Sequence, residues 1–139
     1  MKIDTKSEFG KRAARRLKDE LIYWLVTIGS DGSPQPSPVW ALQDGETFLM
    51  YSQPDTPKLR NVAARPQVAL HLDGDGKGGD IVIVTGDARI DRDAPPADQV
   101  PAYVAKYREG IKRIGMTAES FARAYSVAVR ITPRHLRGH

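Results

Sequence analysis

The chain has 139 residues, of which 40% are hydrophobic and 27% charged, and it contains no cysteine. This length and composition predict one folded domain over residues 1–139 and exclude disulfides, thiol catalysis and cysteine-based metal sites. The net charge of +4 is compatible with an anionic small molecule and too small to indicate nucleic-acid binding. No apolar run approaches the roughly 18 residues of a membrane span, and no signal-peptide core is present, so we expect no membrane association and a cytoplasmic location.

The first predicted element is an amphipathic helix over residues 4–18. Thr5, followed three residues later by Glu8, is a capping-box pattern. The apolar stripe, with four-residue spacing, consists of Phe9, Ala13, Leu17 and Leu21. Basic residues that lie off this stripe are Lys11, Arg12, Arg15 and Lys18. They form either an ordinary solvated face or a rim that meets a polyanionic ligand. Nucleic acid is a weak third possibility, because no aromatic side chains accompany the charge.

Residues 21–28 form a nearly continuous apolar run, which is typical of a strand buried on both faces. An Asp31-Gly32 turn follows, and residues 36–42 return as a second strand. Proline stands at positions 34, 36 and 38. Because proline cannot donate a ladder hydrogen bond, one side of this strand is expected to stay unpaired. That side either accepts a ligand or is an edge protected against aggregation.

The segment 48–65 leads from a third strand, over residues 47–52, into a short helix. A second turn at residues 43–46 precedes that strand and predicts an antiparallel meander. The helix has Thr56 as a plausible N-cap and Pro57 at its first position. Lys58 and Arg60 lie in its first turn, where cations oppose the helix dipole, and residues 56–72 contain no acid. A bound anion would reverse this preference, so the segment indicates either a phosphate site or an ordinary solvated helix start.

The rest of the chain is predicted to be mostly strand. The elements are strands over 67–73, 81–91 and 125–132, helices over 101–114 and 117–123, and a basic tail over 133–139. Gly86 marks a bulge or bend. The loop at 74–79 matches G-x-G-x-x-G, but a strand follows it, so it is not a dinucleotide-binding loop. Six antiparallel strands with few helices predict a closed or split barrel.

Catalytic motifs are absent. The sequence has no G-x-S-x-G and no P-loop. Its three histidines, His71, His135 and His139, are scattered and lack carboxylates at metal-ligand spacing. We therefore expect no metal site and interpret His71 as structural. The chemistry is expected to come from a cofactor, for which the protein supplies position and electrostatics.

Three segments resemble the flavin/deazaflavin oxidoreductases, a split-barrel group related to pyridoxamine 5′-phosphate oxidase. They are WLVTIGSDGSPQPSPVW (24–40), FLMYSQPDTPKLRNVAARPQVAL (48–70) and VAVRITPRHLRG (127–138). The resemblance implies a mainly β (α+β) fold, a six-stranded antiparallel split β-barrel of the FMN-binding type with a few peripheral helices. It also implies a homodimer with cofactor sites at the subunit interface, and a small-molecule substrate.

Within this group, the K-x-R-N pattern at residues 58–61 resembles that of deazaflavin binders more than that of FMN binders. The resemblance implies an oxidoreductase that uses reduced coenzyme F420 to transfer hydride to an unsaturated or oxidised small molecule. The alternatives are an FMN-dependent oxidoreductase and a flavin or deazaflavin carrier without turnover. The chain lacks the substrate-binding ending of the classical pyridoxamine phosphate oxidases, which argues against vitamin B6 oxidation.

The resemblance also implies a set of cofactor-binding residues. The set is Pro36, Pro38, Val39, Trp40, Ser52, Gln53, Thr56, Lys58, Arg60 and Asn61. Lys58 and Arg60 are implied to bind the phosphate or the acidic tail, and the side chains of Ser52, Thr56 and Asn61 to hydrogen-bond it. The strand that ends at Trp40 is implied to line the ring, although Trp40 is alternatively a plain core residue. No residue stands out as a proton donor.

Overall fold

The computed structural model describes residues 1–139 as four α-helices and seven β-strands. The helices are α1 (Glu8–Asp19), α2 (Pro57–Ala64), α3 (Pro101–Arg113) and α4 (Ala118–Ala124), and a 3₁₀ turn spans Ala97–Gln99. The strands are β1 (Tyr23–Ile28), β2 (Pro34–Val39), β3 (Ala41–Asp44), β4 (Thr47–Ser52), β5 (Gln67–His71), β6 (Val82–Ile90) and β7 (Val127–Gly138). The longest helix, α3, has 13 residues, and no helix has the length and apolar character needed to cross a membrane.

All seven strands form one antiparallel sheet in the order β2-β1-β5-β6-β7-β4-β3. Strands β2 and β3 therefore lie at opposite edges of the sheet, although Trp40 alone separates them in the chain. The two edges must meet near Trp40, which curls the sheet into a half-barrel. This arrangement confirms a mainly β fold that is consistent with a split barrel.

The predicted number of six strands and the predicted meander are wrong for one reason. The strand expected over residues 36–42 is two strands, of which β2 pairs with β1 and β3 pairs with β4. The change of partner occurs at Trp40, and no glycine or turn sequence marks it. The unpaired side expected for the proline-rich strand is confirmed, because β2 is an edge strand.

Two hydrophobic cores lie on the two faces of the sheet. The inner core includes Ala13, Leu17, Leu25, Phe48, Met50, Leu70, Val84 and Ile131. The outer core includes Leu49, Tyr51, Tyr103, Tyr107, Ile111 and Phe121. Successive residues of a strand point to opposite faces, so β4 contributes to both cores. Both α3 and α4 pack beside β4 in the outer core. The strand therefore packs against side chains on both of its faces.

The prediction that β1 is buried on both faces is wrong. Tyr23, Leu25 and Thr27 are buried, whereas the alternate residues of the strand are only half-buried. Helices α1 and α2 contribute to the inner core, and α3 and α4 to the outer core beside β4. No helix remains to cover the outer face of β1. We call this face, together with the adjacent faces of β2 and β5, the open sheet face.

Helix α1 begins later than predicted, at Glu8. Its N-cap is Ser7 rather than Thr5, because Ser7 Oγ accepts the Gly10 N–H at 2.9 Å. Leu21, the last member of the predicted apolar stripe, lies beyond the helix and is 51% exposed. Arg12 and Arg16 form ion pairs with Asp80, so part of the basic face is already neutralised within the chain.

The C-terminal segment is a strand rather than a basic tail. Strand β7 continues to Gly138 and pairs with β6 along this length. The pairing shifts between Thr85 and Gly86, which confirms the predicted bulge. Pro133 lies opposite Gly86 at this irregularity, where a missing N–H is tolerated. A Cβ at Gly86 would come 2.1 Å from the Thr132 carbonyl oxygen, so only glycine fits this close approach.

Candidate functional site

A cavity of about 360 Å³ lies where β4 ends, α2 begins, and α3 and α4 pack on the sheet. This volume is within the range of small-molecule sites, about 300–1,000 Å³. Seven of the ten residues proposed from the sequence line it: Pro38, Val39, Trp40, Ser52, Gln53, Thr56 and Lys58. The strand-to-helix turn and the end of the proline-rich strand therefore meet at one cavity.

The structure does not bring Pro36, Arg60 and Asn61 to this cavity. Arg60 is exposed, and its Nη1 donates to the Asp55 carbonyl at 2.7 Å. Two residues along a helix differ by about 200° in direction, so Arg60 and Lys58 point to different sides of α2. Pro36 lies two residues before Pro38, farther along the edge strand.

Asn61 lies on the buried side of α2, and its side chain forms hydrogen bonds to other side chains of the protein. Its Nδ2 donates to Thr27 Oγ1 and to Gln35 Oε1, each at 2.9 Å. These bonds join α2 to both β1 and β2. Asn61 therefore fixes the position of the strand-to-helix turn relative to the edge strand.

Lys58 supplies the only charge in the cavity lining. It is half-buried, forms no ion pair, and has a pKa lowered from its ordinary value because burial disfavours the cation. The backbone N–H groups of Thr56 and Lys58 also have no acceptor within the chain. Thr56 and Pro57 occupy the N-cap and first helical positions, as predicted. Free N–H groups and a cation at a helix N-terminus form a suitable site for an anion.

The turn before α2 has a defined geometry. Ser52 is buried, and its Oγ donates to the Gln53 carbonyl at 2.8 Å and lies 3.0 Å from Thr56 Oγ1. Asp55 adopts a left-handed conformation with φ 62°, which aspartate tolerates better than most residues. The Thr56 hydroxyl therefore contacts Ser52 instead of capping the helix.

Aromatic side chains form the other side of the cavity. Trp40 stacks on Tyr107 with ring centroids 4.9 Å apart and on Phe121 at 5.7 Å. Phe121 stacks in turn on Tyr125 at 4.5 Å. Trp40 packs against the outer core and also lines the cavity, so a place in the core does not exclude a place at the site. A continuous aromatic wall of this kind fits a flat, conjugated ring.

The cavity residues that the sequence analysis missed come from β4, from α3 and α4, and from the residues that follow these two helices. They are Met50, Tyr51, Tyr103, Ile114, Phe121 and Tyr125. Tyr103 and Tyr107 recur at helical spacing, but that pattern is also typical of plain core. Only the packing of α3 and α4 beside β4 brings Tyr103 and Phe121 to the site.

The tyrosine hydroxyls in the cavity lining differ in their partners. Tyr51 Oη donates to the Pro95 carbonyl at 2.7 Å, and Tyr103 Oη donates to the Trp40 carbonyl at 3.1 Å. Burial raises the pKa of both hydroxyls, that of Tyr51 to about 12. The Tyr125 hydroxyl has no hydrogen-bond partner in the chain. It is therefore the one phenol of the lining whose donor is free for a bound molecule.

No group of histidine, aspartate or glutamate side chains is arranged to hold a metal ion. No carboxylate lines the cavity either. The site therefore offers an anion-binding end, an aromatic wall and a free phenol, which is a binding arrangement suited to a planar anionic cofactor.

A family model described as pyridoxamine 5′-phosphate oxidase matches residues 9–139. No curated protein matches the chain. Among solved structures, the fold is similar to that of an F420 reductase, at 22% identity and a TM-score of 0.64, covering 88% of this chain and 94% of that one. It is similar to a conserved hypothetical protein from Mycobacterium tuberculosis, at 23% identity and a TM-score of 0.72, covering 94% and 82%.

A third similar structure is HutZ, a heme storage protein from Vibrio cholerae. It shares 15% identity with this chain at a TM-score of 0.61, and the match covers 99% of this chain and 95% of that one. At identities this low, the likeness to the solved structures shows the shared fold alone. The same fold therefore serves both an enzyme and a storage protein, and function must be argued from the site.

Proposed function

Because the chain belongs to the pyridoxamine 5′-phosphate oxidase family, a family of flavin-related oxidoreductases, we propose that it uses reduced coenzyme F420 to transfer hydride to an unsaturated or oxidised small molecule. The observation that carries this proposal is Lys58, a half-buried cation without an anionic partner in a cavity that has an aromatic wall. Burying a charge without a partner is costly, and a cofactor phosphate supplies the missing partner.

The residues of the cavity have separate roles in this proposal. Lys58 and the free N–H groups of α2 bind the phosphate, and Ser52 and Thr56 maintain the turn that presents them. Trp40 lines the part of the cavity assigned to the ring. The end of β2, near Val39, offers backbone groups to the ring edge, because an edge strand leaves one row of polar groups unpaired. The cofactor supplies the hydride chemistry, and these side chains bind it and fix its orientation.

Two observations support the deazaflavin over FMN. The K-x-R-N pattern at residues 58–61 resembles that of deazaflavin binders, with Lys58 as its one member in the cavity lining, and an F420 reductase is among the similar structures. FMN is the second candidate, because the matching family model is named for pyridoxamine 5′-phosphate oxidase and that name points to a flavin cofactor. A carrier without turnover is the third, since HutZ has the same fold and is a heme storage protein.

The proposal includes a homodimer with cofactor sites at the subunit interface. The open sheet face carries the half-buried side chains of Trp24, Val26 and Ile28. These residues pair with the three prolines of β2, and Pro38 also lines the cavity. A second copy of the chain that covers this face would therefore reach the rim of the cavity.

A titration of the protein with F420 and, separately, with FMN tests the proposed cofactor. The fluorescence of the two tryptophans reports binding, because Trp40 lines the cavity. We expect saturation by F420 at micromolar concentration and much weaker binding of FMN. The reverse order would replace the deazaflavin with FMN. Tight F420 binding without oxidation of the reduced cofactor by quinones, enones or biliverdin-like acceptors would indicate a carrier.

A further inference from the structure

The peptide bond that joins the two sheet edges is held by side chains of α3. Tyr103 Oη donates to the Trp40 carbonyl at 3.1 Å, and Tyr107 Oη accepts the Ala41 N–H at 2.8 Å. Lys106 Nζ donates to the next carbonyl, that of Ala41, at 2.9 Å. Residues at this spacing are neighbours on one face of a helix. We call the peptide bond between Trp40 and Ala41, with the Ala41 carbonyl, the edge junction.

The same face of α3 also holds the indole of Trp40. The ring of Tyr107 stacks on it with an interplanar angle of 7°. Gly110, one turn beyond Lys106, lies so close that a Cβ there would come 2.9 Å from Trp40 Cη2. The helix therefore fixes the backbone of Trp40 by hydrogen bonds and its side chain by packing.

Lys106 is an unusual member of this group because it is a cation among aromatic rings. Its Nζ also donates to Tyr23 Oη at 2.7 Å and lies over the rings of Tyr23 and Tyr107. Burial lowers the pKa of Lys106 to about 8, and the carboxylates of Asp19 and Glu20 at the end of α1 oppose this decrease. An apolar side chain would avoid the desolvation cost, so stability alone does not account for a lysine here.

We propose that Tyr103, Lys106 and Tyr107 are positioning residues for cofactor binding, which hold the edge junction so that the indole of Trp40 forms one wall of the cavity. This inference rests on the proposed function, because it assigns these residues to a cavity that binds a cofactor. Protonated Lys106 forms a charge-assisted hydrogen bond to the junction, which is stronger than the bond from the neutral amine. Deprotonation therefore loosens the junction and the indole attached to it.

The test uses the full chain with Trp24→Phe as the parent, because Trp40 is then the single tryptophan. Three further variants are made in this parent. Lys106→Met removes the charge, and Lys106→Arg keeps a charge that does not titrate below about pH 12. Lys112→Met is the matched control, since Lys112 is exposed on the same helix and forms no ion pair. The measurements are Trp40 emission and acrylamide quenching against pH without cofactor, the F420 Kd at pH 7, and the Tm.

We expect Trp40 in the parent and in Lys112→Met to show a transition with a midpoint near pH 8. The transition should be absent in both Lys106 variants. At pH 7, Lys106→Met should bind F420 about tenfold more weakly, which corresponds to one hydrogen bond, whereas Lys106→Arg should stay within about twofold of the parent.

The Tm separates a positioning role from a structural one. The folded pKa of Lys106 is below that of the unfolded chain, so the unfolded state binds more protons between about pH 8 and 10.4. Stability therefore rises with pH through this window in the parent. Lys106→Met should lose that rise and have an equal or higher Tm at pH 7, because Tyr23 Oη still donates to the Leu17 carbonyl and the Ala41 carbonyl still lies 2.9 Å from Tyr107 Oη.

Weaker F420 binding together with an undiminished Tm supports the inference. An unchanged Trp40 transition and an unchanged Kd in Lys106→Met would overturn it. The pKa of Lys58 is also lowered. A loss of cofactor affinity at alkaline pH could therefore come from deprotonation of either Lys58 or Lys106. Measurements on Trp40 without cofactor avoid this ambiguity. If F420 and FMN both fail to bind the wild-type protein, the proposed function fails, while the Trp40 transition in the parent still shows whether Lys106 holds the junction.

Discussion

In the proposed function, anion binding depends on Lys58. It lines the cavity without an ion-pair partner, and a hydrogen bond to a charged group contributes about 1.5–3 kcal/mol. Lys58→Ala should therefore weaken F420 binding by about 10- to 100-fold, measured by fluorescence titration. Arg60→Ala should have an effect of only about twofold, because α2 directs Arg60 to another side and only long-range attraction is lost.

Lys112→Ala is the matched control for both variants, since it removes one positive charge from an exposed position outside the cavity. A loss of affinity in Arg60→Ala as large as that in Lys58→Ala would mean that the ligand extends along α2, as the sequence resemblance implied. Unchanged affinity in Lys58→Ala would remove the anion site from the proposal.

In the proposed reaction, Tyr125 is the candidate proton donor of the cavity lining. Among the tyrosine hydroxyls of the cavity lining, it is the one that donates no hydrogen bond to a backbone carbonyl. If it is the general acid, Tyr125→Phe should lower kcat by about 100-fold, the lower end of the range for such groups, and leave the F420 Kd nearly unchanged. Steady-state kinetics together with the binding titration check this. Unchanged kcat would mean that hydride acceptance needs no protein donor or takes its proton from water.

Among the individual residues, the sequence predicted the strand-to-helix turn that lines the cavity and missed every member of the aromatic wall except Trp40. Thr56, Pro57 and Lys58 are consecutive, so local helix rules place them together. Asn61 was assigned to the ligand because its pattern matched a family motif, yet it lies on the buried side of α2. Tyr103 lies in α3, whereas Phe121 lies in α4 and Tyr125 follows its last residue, and their convergence depends on tertiary packing that no short pattern contains.

At the element scale, Asn61 connects the strand-to-helix turn to the sheet. Asn61→Ala leaves Thr27 Oγ1 buried without this donor, and an unsatisfied buried group costs about 1–3 kcal/mol. We expect the free energy of unfolding, measured by urea denaturation, to fall by that amount. Gln35→Ala is the matched control, because it removes the exposed partner of the same amide and should cost less than about 1 kcal/mol. Equal decreases in the free energy of unfolding for the two variants would mean that the hydrogen bond to Thr27 contributes no more to stability than the bond to Gln35.

The errors in the predicted elements have two physical causes. Strand propensity continues through Trp40, so nothing local shows that β2 and β3 pair with different strands. Proline at 133 and the basic residues after it are typical of a tail, but the bulge opposite Gly86 accommodates that proline and lets β7 continue. In both places, long-range pairing overrides the local preference of the chain.

At the scale of the whole molecule, the open sheet face predicts the oligomeric state. A stable interface buries about 800 Å² on each partner, and the face across β2, β1 and β5 presents half-buried apolar side chains. The protein should have twice the 15.4 kDa mass of one chain when measured by light scattering. Val26 lies between Pro36 and Ala69 in the pairing of this face, so Val26→Glu would bury a carboxylate and should produce monomers.

The same variant tests whether the second copy completes the cofactor site. Pro38 belongs to β2 and lines the cavity, so a partner seated on the open sheet face would lie next to a ring bound there. The F420 Kd of monomeric Val26→Glu should therefore be at least about tenfold higher. This corresponds to the loss of at least one hydrogen bond. Gln99→Glu adds the same charge at an exposed position of the 3₁₀ turn and should leave both mass and affinity unchanged. A monomeric Val26→Glu protein with undiminished affinity would show that one chain contains the whole site, and would separate dimerisation from cofactor binding.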